Sequence, residues 1–336
     1  MGHRILHVSS IAALCTFAMP ACGDPAPAET GVDDASGGSV ADTGEPTPNT
    51  EDDGNNDDDN GESAADETSD ETGDDTANQP GECGFGNAIT GGGSAAGFST
   101  IDIAIGSDAY KVQTNPWGGA TQTITAGGNS VFTVDSISHP PGGNDWDVHS
   151  FPSVFKGTNY AGEVTSDSGL PIAVSDIGSV CTGMRTNAVS APYSGNATYD
   201  VYLTHSQNYA GGPPDTYLMV WYLSKSLNPI NSPGEGWDCS SNPPTFIQAC
   251  SGAGDVMING RRFYRFRGPN GQAEVISYVT ESAMSEWEFD LNDFIQDAIS
   301  VGAVSPGMYL QSIQGGLEIS DGGNGLSIQD FYAIVD

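Results

Sequence analysis

Tyr309-Leu310-Gln311-Ser312-Ile313-Gln314-Gly315-Gly316-Leu317-Glu318-Ile319 is the stretch on which the fold turns. In an extended strand successive side chains point to opposite faces. Ser312, Gln314, Gly316 and Glu318 therefore share one face, and Ile313, Leu317 and Ile319 lie behind it. A row of small and polar side chains does not build a core, so Glu318 projects from a polar sheet face. The same alternation places Asn196, Thr198, Asp200 and Tyr202 on one side of 196–203, with Tyr199, Val201 and Leu203 on the other. It also sets Asp215, Tyr217, Met219 and Trp221 on a common face.

Outward from these strands the pattern repeats. From Cys83 onward, β-rich runs at 131–134, 173–175, 198–203, 217–223, 262–266, 274–279 and 326–335 alternate with clusters of Gly, Pro, Asn and Ser. Many short strands with regular turn signals predict an all-β fold, a sandwich of two antiparallel sheets in jelly-roll form. One stretch, 290–302, departs from the alternation. Its apolar residues fall at helical spacing, Asp290 is placed to cap the first turn, Asp293 adds an acid there, and Gly302 ends the run. It predicts one short helix.

The N-terminal quarter has a different composition. Arg4 precedes an apolar stretch at 5–18, too short to span a membrane and ending in small residues, which reads as an export signal. Met19-Pro20-Ala21 before Cys22 fits a lipoprotein processing site, with plain cleavage and release as the alternative. Residues 23–82 hold all 20 acidic residues that precede Cys83, out of 44 in the chain, and no Lys or Arg occurs between Arg4 and Lys111. With almost no large apolar side chain, this tract cannot offset the entropy of ordering, so a disordered, self-repelling spacer is expected. The domain plan is thus a leader over 1–22, an acidic linker over 23–82 and one folded domain over 83–336. An exported protein, either held at the cell surface through a lipid on Cys22 or extracellular, follows from this plan.

Beyond Cys15 and Cys22 four cysteines remain, and in an exported chain they suggest two disulfides. Three connectivities are open. Cys239 and Cys250 bracket a Ser-Asn-Pro-Pro loop and form the natural local pair, which leaves Cys83 with Cys181. No metal or other cofactor is expected, since the cysteines lack short paired spacing and His139, His149 and His205 are scattered. The calcium-loop spacing of Asn56, Asp58, Asn60, Gly61 and Glu67 lacks an apolar anchor and flanking helices, and reads as a chance match. Arg261, Arg262, Arg265 and Arg267 form the one basic cluster in an acidic domain, which reads as paired surface arginines. Nucleic acid is excluded as a partner by the net charge of -35.

Three motifs carry a resemblance: Asn-Ala-Thr-Tyr-Asp-Val-Tyr-Leu at 196–203, Thr-Tyr-Leu-Met-Val-Trp at 216–221, and the 309–326 run around Gln314-Gly315-Gly316-Leu317-Glu318. Upstream, Asn115-Pro116-Trp117-Gly118 and Phe151-Pro152-Ser153-Val154-Phe155-Lys156-Gly157 extend it. In this order they resemble glycoside hydrolase family 12, the small endo-β-1,4-glucanases and xyloglucanases. The resemblance implies a jelly roll whose inner sheet is concave and holds a β-glucan, acting as a monomer.

It also implies roles. Glu318 matches the general acid/base, Asp200 the acid that hydrogen-bonds the nucleophile, and Asn196 the residue four places before it. Asn115 and Trp117 match cleft residues, the Trp stacking a pyranose ring and the Asn sharing its face and offering amide hydrogen bonds. Met219 matches a residue beneath the reacting sugar, and Trp221 reads as packing. The family's nucleophile position is occupied by Tyr217. Hydrolysis of internal β-1,4-glucosidic bonds is the implied activity, with three consequences of Tyr217 in competition. Hydrolysis is lost or severely weakened; Asp215, two residues away on the same face, acts as a displaced base in an inverting reaction; or Tyr217 itself attacks, with Asp200 taking its proton. The alternative from another class is a non-catalytic glucan-binding surface lipoprotein using the same cleft.

Overall fold

A computed structural model describes residues 83–140, 148–227, 229–230 and 254–336. The expected leader and linker, the calcium-like spacing, Cys239 and Cys250 lie outside the described residues.

The strands in chain order are β1 (Ile89–Gly91), β2 (Gly93–Ala96), β3 (Thr100–Ile105), β4 (Asp108–Gln113), β5 (Thr121–Gly127) and β6 (Ser130–Ser138). They continue with β7 (Ser153–Gly157), β8 (Ile172–Ala173), β9 (Val180–Thr186), β10 (Tyr193–Thr204), β11 (Thr216–Lys225) and β12 (Gly254–Ile258). The last are β13 (Arg261–Asn270), β14 (Ala273–Thr280), β15 (Glu286–Asp290), β16 (Tyr309–Gly322) and β17 (Ser327–Val335), with helix α1 (Leu291–Ser300) between β15 and β16. They form an 11-stranded sheet in the order β1-β3-β4-β7-β16-β10-β11-β14-β13-β12, with β8 beside β16, and a 6-stranded sheet in the order β15-β9-β17-β6-β5-β2. Every pairing is antiparallel except β11 with β14.

The two sheets stack because alternation gives each an apolar face. From β16 come Ile313, Leu317 and Ile319, from β10 Tyr199, Val201 and Leu203, and from β11 Leu218, Val220 and Tyr222, all fully buried in one core. The smaller sheet answers with Phe132, Val134, Met184, Phe331 and Ala333. Each such aliphatic or aromatic side chain contributes about 1.5–3 kcal/mol by leaving water. The Asn196, Asp200, Gln314 and Glu318 row is thereby turned to the outer face of the larger sheet.

Helix α1 follows its sequence signals closely. The Asp290 carboxylate accepts from Asn292 N–H at 2.9 Å and from Val180 N–H at 2.8 Å, tying the helix start to β9. Leu291, Phe294, Ile295 and Ala298 form the buried face, with the Phe294 ring edge-on to Tyr278 at 5.0 Å and Phe263 at 5.1 Å. Val301 caps the end and Gly302 takes a φ of +71° beyond it. The 173–175 run departs from expectation. Only Ile172–Ala173 pairs as a strand, and Val174–Asp176 forms a 3₁₀ turn.

Cys83 is bonded to Cys181, which fastens the start of the folded domain to β9. The arginines of β13 are paired: Arg262 with Asp255 and Glu281, Arg265 with Asp297, and Arg267 with Glu274. Arg261 lies over the Trp287 ring at 5.3 Å.

Candidate active site

Glu318 is placed by register. On β10 and β16 it stands directly opposite Asn196, and the two side chains meet: Asn196 Nδ2 donates to Glu318 Oε2 at 2.5 Å, and Glu318 N–H donates to Asn196 Oδ1 at 3.4 Å. Gly195 makes this approach possible. It has a φ of +147°, and a Cβ on it would lie 1.9 Å from the Glu318 carbonyl oxygen. Burial pushes the Glu318 carboxyl up to about 7, against the Asn196 hydrogen bond, which favours the ionised form. A carboxyl that holds its proton to neutrality is suited to protonating a leaving oxygen.

Asp200 stands four residues along β10, between Gln314 on β16 and Met219 on β11. It is buried, its Oδ1 has no hydrogen-bond partner among the described residues, and burial followed by the charge of Glu318 holds its carboxyl well above the usual range. Tyr217 is opposite Tyr202, two residues further along β10 than Asp200. Asp200 thus lies between the levels of Glu318 and Tyr217. Burial, then the nearby Asp200, Tyr209 and Tyr160, pushes the Tyr217 phenol far up, so it stays protonated. Asp215 precedes β11 and is exposed. Its carboxylate accepts from His205 N–H at 2.7 Å and closes the β10–β11 hairpin, on the side of Tyr217 remote from Glu318.

Around these groups the outer face divides into two halves. On one half, Gln113 Nε2 donates to Ser153 Oγ at 2.8 Å and to Gln314 Oε1 at 2.9 Å, while Asn159 Nδ2 donates to Gln113 Oε1 at 2.8 Å. The other half is an apolar pad, where Met219 and Tyr264 pack on buried Trp221, Phe266 and Val279. Trp221 is thus packing, as read from the sequence, and Met219 belongs to the pad beside Asp200. Buried polar atoms here that lack a partner among the described residues include Asp200 Oδ1, Gln314 Nε2, Trp221 Nε1, Ser277 Oγ and Tyr193 OH. Each such atom costs about 1–3 kcal/mol, and a hydroxyl-rich ligand on this face would offset that cost.

Asn115 and Trp117 lie in the loop after β4, both half-buried. The loop is tied to the Glu318 strand through Ser150, which bridges Pro116 on one side and Ile319 on the other. Trp117 N–H donates to His149 O at 2.8 Å. The expectation that Asn115 and Trp117 share a strand face does not apply, because β4 ends at Gln113 and Asn115 has a left-handed φ of +46°. The structure therefore gathers Asn196, Asp200, Tyr217, Met219 and Glu318 on one face, brings Asn115 and Trp117 to the neighbouring loop, and leaves Asp215 at the hairpin end. Sequence parity places Tyr202 on the face of Asp200 without giving it a role, whereas Tyr160, Tyr209 and Tyr193 escape it because they come from loops or from beyond a bulge at Ser194/Gly195.

No group of three or more His, Cys, Asp or Glu among the described residues could hold a metal ion, and no described helix is long and apolar enough to cross a membrane.

Three similarities bear on this face. A Mycobacterium tuberculosis protein named probable cellulase Cel12b is 27% identical over 170 residues, covering 50% of this chain and 97% of the relative. The Phytophthora nicotianae protein named inactive glycoside hydrolase XLP1 is 25% identical over 230 residues, covering 68% and 87%. The solved structure of endoglucanase Cel12A from Rhodothermus marinus superposes with a TM-score of 0.59 at 25% identity, covering 73% of this chain and 99% of that one. The model of glycosyl hydrolase family 12 matches residues 108–336, which span every strand of the site, and the chain belongs to that family.

Proposed function

We propose that this protein binds β-1,4-linked glucan across the outer face of its larger sheet, and that hydrolysis there is lost or severely weakened at Tyr217. The feature that carries this reading is the environment of the site's ionisable groups. Glu318 keeps the raised carboxyl of a general acid, but Tyr217, at the position that matches the family's nucleophile, is a phenol pushed further from ionisation by burial and by Asp200. Retaining hydrolysis needs an ionised nucleophile about 5–5.5 Å from the acid, and inverting hydrolysis a base about 6.5–9.5 Å away. Tyr217 as the attacking group would require a lowered phenol pKa, the reverse of its environment. Asp200, the proton acceptor in that route, has its carboxyl raised well above the usual range by burial and by the charge of Glu318, which disfavours the ionised form that would take the proton.

Binding is supported by the unpartnered polar atoms, the apolar pad and the Trp117 loop beside Glu318. That one relative is named an inactive glycoside hydrolase is consistent with a family member that retains the fold without the chemistry. A second reading, slow inverting hydrolysis with Asp215 as base, draws on the raised Glu318 alone; its weakness is that Asp215 is engaged by His205 N–H. We place the domain outside the cell, exported by the 1–22 leader and tethered through Cys22 on the 23–82 spacer, with β-glucan as its partner and as a monomer.

The test is parallel measurement of binding and reducing-end release with carboxymethylcellulose, xyloglucan and barley β-glucan. Expected are binding that a Trp117→Ala change weakens about tenfold, and release at background for both wild type and Glu318→Gln. Release by wild type that Glu318→Gln abolishes would establish hydrolysis instead, and the absence of binding to all three glucans would refute the reading.

A further inference from the structure

The end of the face remote from Glu318 is built from tyrosines. Tyr217 on β11 meets the buried ring of Tyr202 edge-on, with centroids 5.3 Å apart and planes at 87°. Tyr202 also meets Tyr209 edge-on at 6.3 Å and 88°. One ring, fixed in the sheet, thus holds the planes of two others, and edge-to-face pairs of this kind are oriented contacts. Tyr160 completes the group: Tyr217 and Tyr209 both sense its hydroxyl electrostatically, and its side chain is 40% exposed.

Two loops distant in sequence deliver these rings. Gly212 N–H donates to the Tyr160 carbonyl at 2.7 Å, and Tyr209 OH donates to the Gly212 carbonyl. The loops touch so closely that a Cβ on Gly162, which has a φ of +79°, would lie 2.6 Å from the Ala210 carbonyl oxygen. Such an approach, together with the Gly212–Tyr160 hydrogen bond that joins the two loops and the Tyr209–Gly212 bond that fixes Tyr209 within its own, is a built wall and not a chance meeting of surface side chains. Asp200, with its unpartnered Oδ1, lies within electrostatic reach of Tyr217 and Tyr209.

We propose that Tyr217, Tyr209 and Tyr160 form an aromatic subsite that holds one glucosyl ring of a β-1,4-glucan, with Asp200 receiving one of its hydroxyls. A pyranose ring in such a glucan has an apolar face that packs on a phenol ring and equatorial hydroxyls at its rim. The three tyrosines supply flat apolar surface with polar tips, and the Asp200 carboxyl can accept a hydrogen bond from a ring hydroxyl. Tyr217 thereby contributes binding at a position where a carboxylate would contribute chemistry. The inference rests on the glucan-binding reading above and adds to it the place and composition of one subsite.

The experiment is calorimetric titration of the full disulfide-intact chain with cellohexaose and with barley β-glucan. Tyr160→Ala removes an exposed ring and spares the sheet, so it keeps the test independent of folding defects. It and Tyr217→Ala are each expected to weaken binding about tenfold, with Tyr217→Phe within about twofold of wild type, as befits stacking. Trp117→Ala serves as the separate probe of the cleft. If Trp117→Ala weakens binding while Tyr160→Ala and Tyr217→Ala, verified as folded, bind like wild type, the subsite is refuted and the glucan-binding reading stands. If wild type binds neither ligand, both fall.

Discussion

Replacing Glu318 by Gln removes one charge and preserves shape, and the Asn196 amide can still donate to the new side-chain oxygen. Burial raises the Glu318 carboxyl from 4.5 to about 7, so the folded chain holds this proton more tightly than the unfolded chain. The sign follows from linkage: stability contributed by the protonated form is complete below about pH 4.5, and is lost as pH rises through about 7. At ~1.4 kcal/mol per pKa unit the loss is on the order of 3 kcal/mol. Asp200 adds to the effect in the same direction, because part of its raised pKa comes from the charge that the substitution deletes. Urea unfolding of both proteins at intervals from pH 4 to pH 8.5, with unchanged m-values, reads the difference directly, since other titrating groups largely cancel between them. The variant should gain on wild type between pH 4.5 and 7 and hold its advantage above that. Stability curves that stay parallel across the range would refute a raised Glu318, and with it the argument that this residue keeps the character of an acid.

Other substitutions test the scaffold around the site. Asp290→Ala deprives Asn292 and Val180 of their acceptor and should cost about 1–2 kcal/mol in thermal unfolding. Gly195→Ala forces a Cβ onto the Glu318 carbonyl at a φ disfavoured for alanine; destabilisation of more than about 2 kcal/mol is expected in urea unfolding, together with weaker glucan binding. Cys83→Ser opens a link between residues 98 apart and should lower unfolding free energy by about 2–5 kcal/mol.

The sequence disclosed the parts of the molecule that follow from local periodicity. Alternation at 312–319 and 196–203 correctly separated the core side chains Ile313, Leu317, Tyr199 and Val201 from the row that carries Glu318 and Asp200. The capping Asp290 and terminal Gly302 bounded α1 because those signals act through neighbouring backbone groups. Periodicity fails where the chain leaves the strand: Asn115 turns through a left-handed conformation, so its relation to Trp117 is set by the Pro116–Ser150–Ile319 bridges and not by parity. Nor could it reveal the tyrosine wall, whose members are drawn from β11 and two loops that meet through backbone contacts. The state of Asp200 was hidden for a similar reason, as its protonation depends on burial and on a charge delivered by another strand. Asp215, chosen for its position on the face of Tyr217, is turned to the hairpin backbone by a hydrogen bond that parity does not encode.

On the reading proposed above, this cleft binds glucan and fails to cut it because position 217 carries a phenol. Reducing-end release from barley β-glucan by Tyr217→Glu, measured beside wild type under conditions where both bind, tests it most directly. A carboxylate at this position supplies the missing nucleophile, and release should rise at least about a thousandfold over wild type, equivalent to roughly 4 kcal/mol of barrier. A wild-type rate comparable to that of the variant, or a folded, glucan-binding variant that releases nothing, would contradict the account.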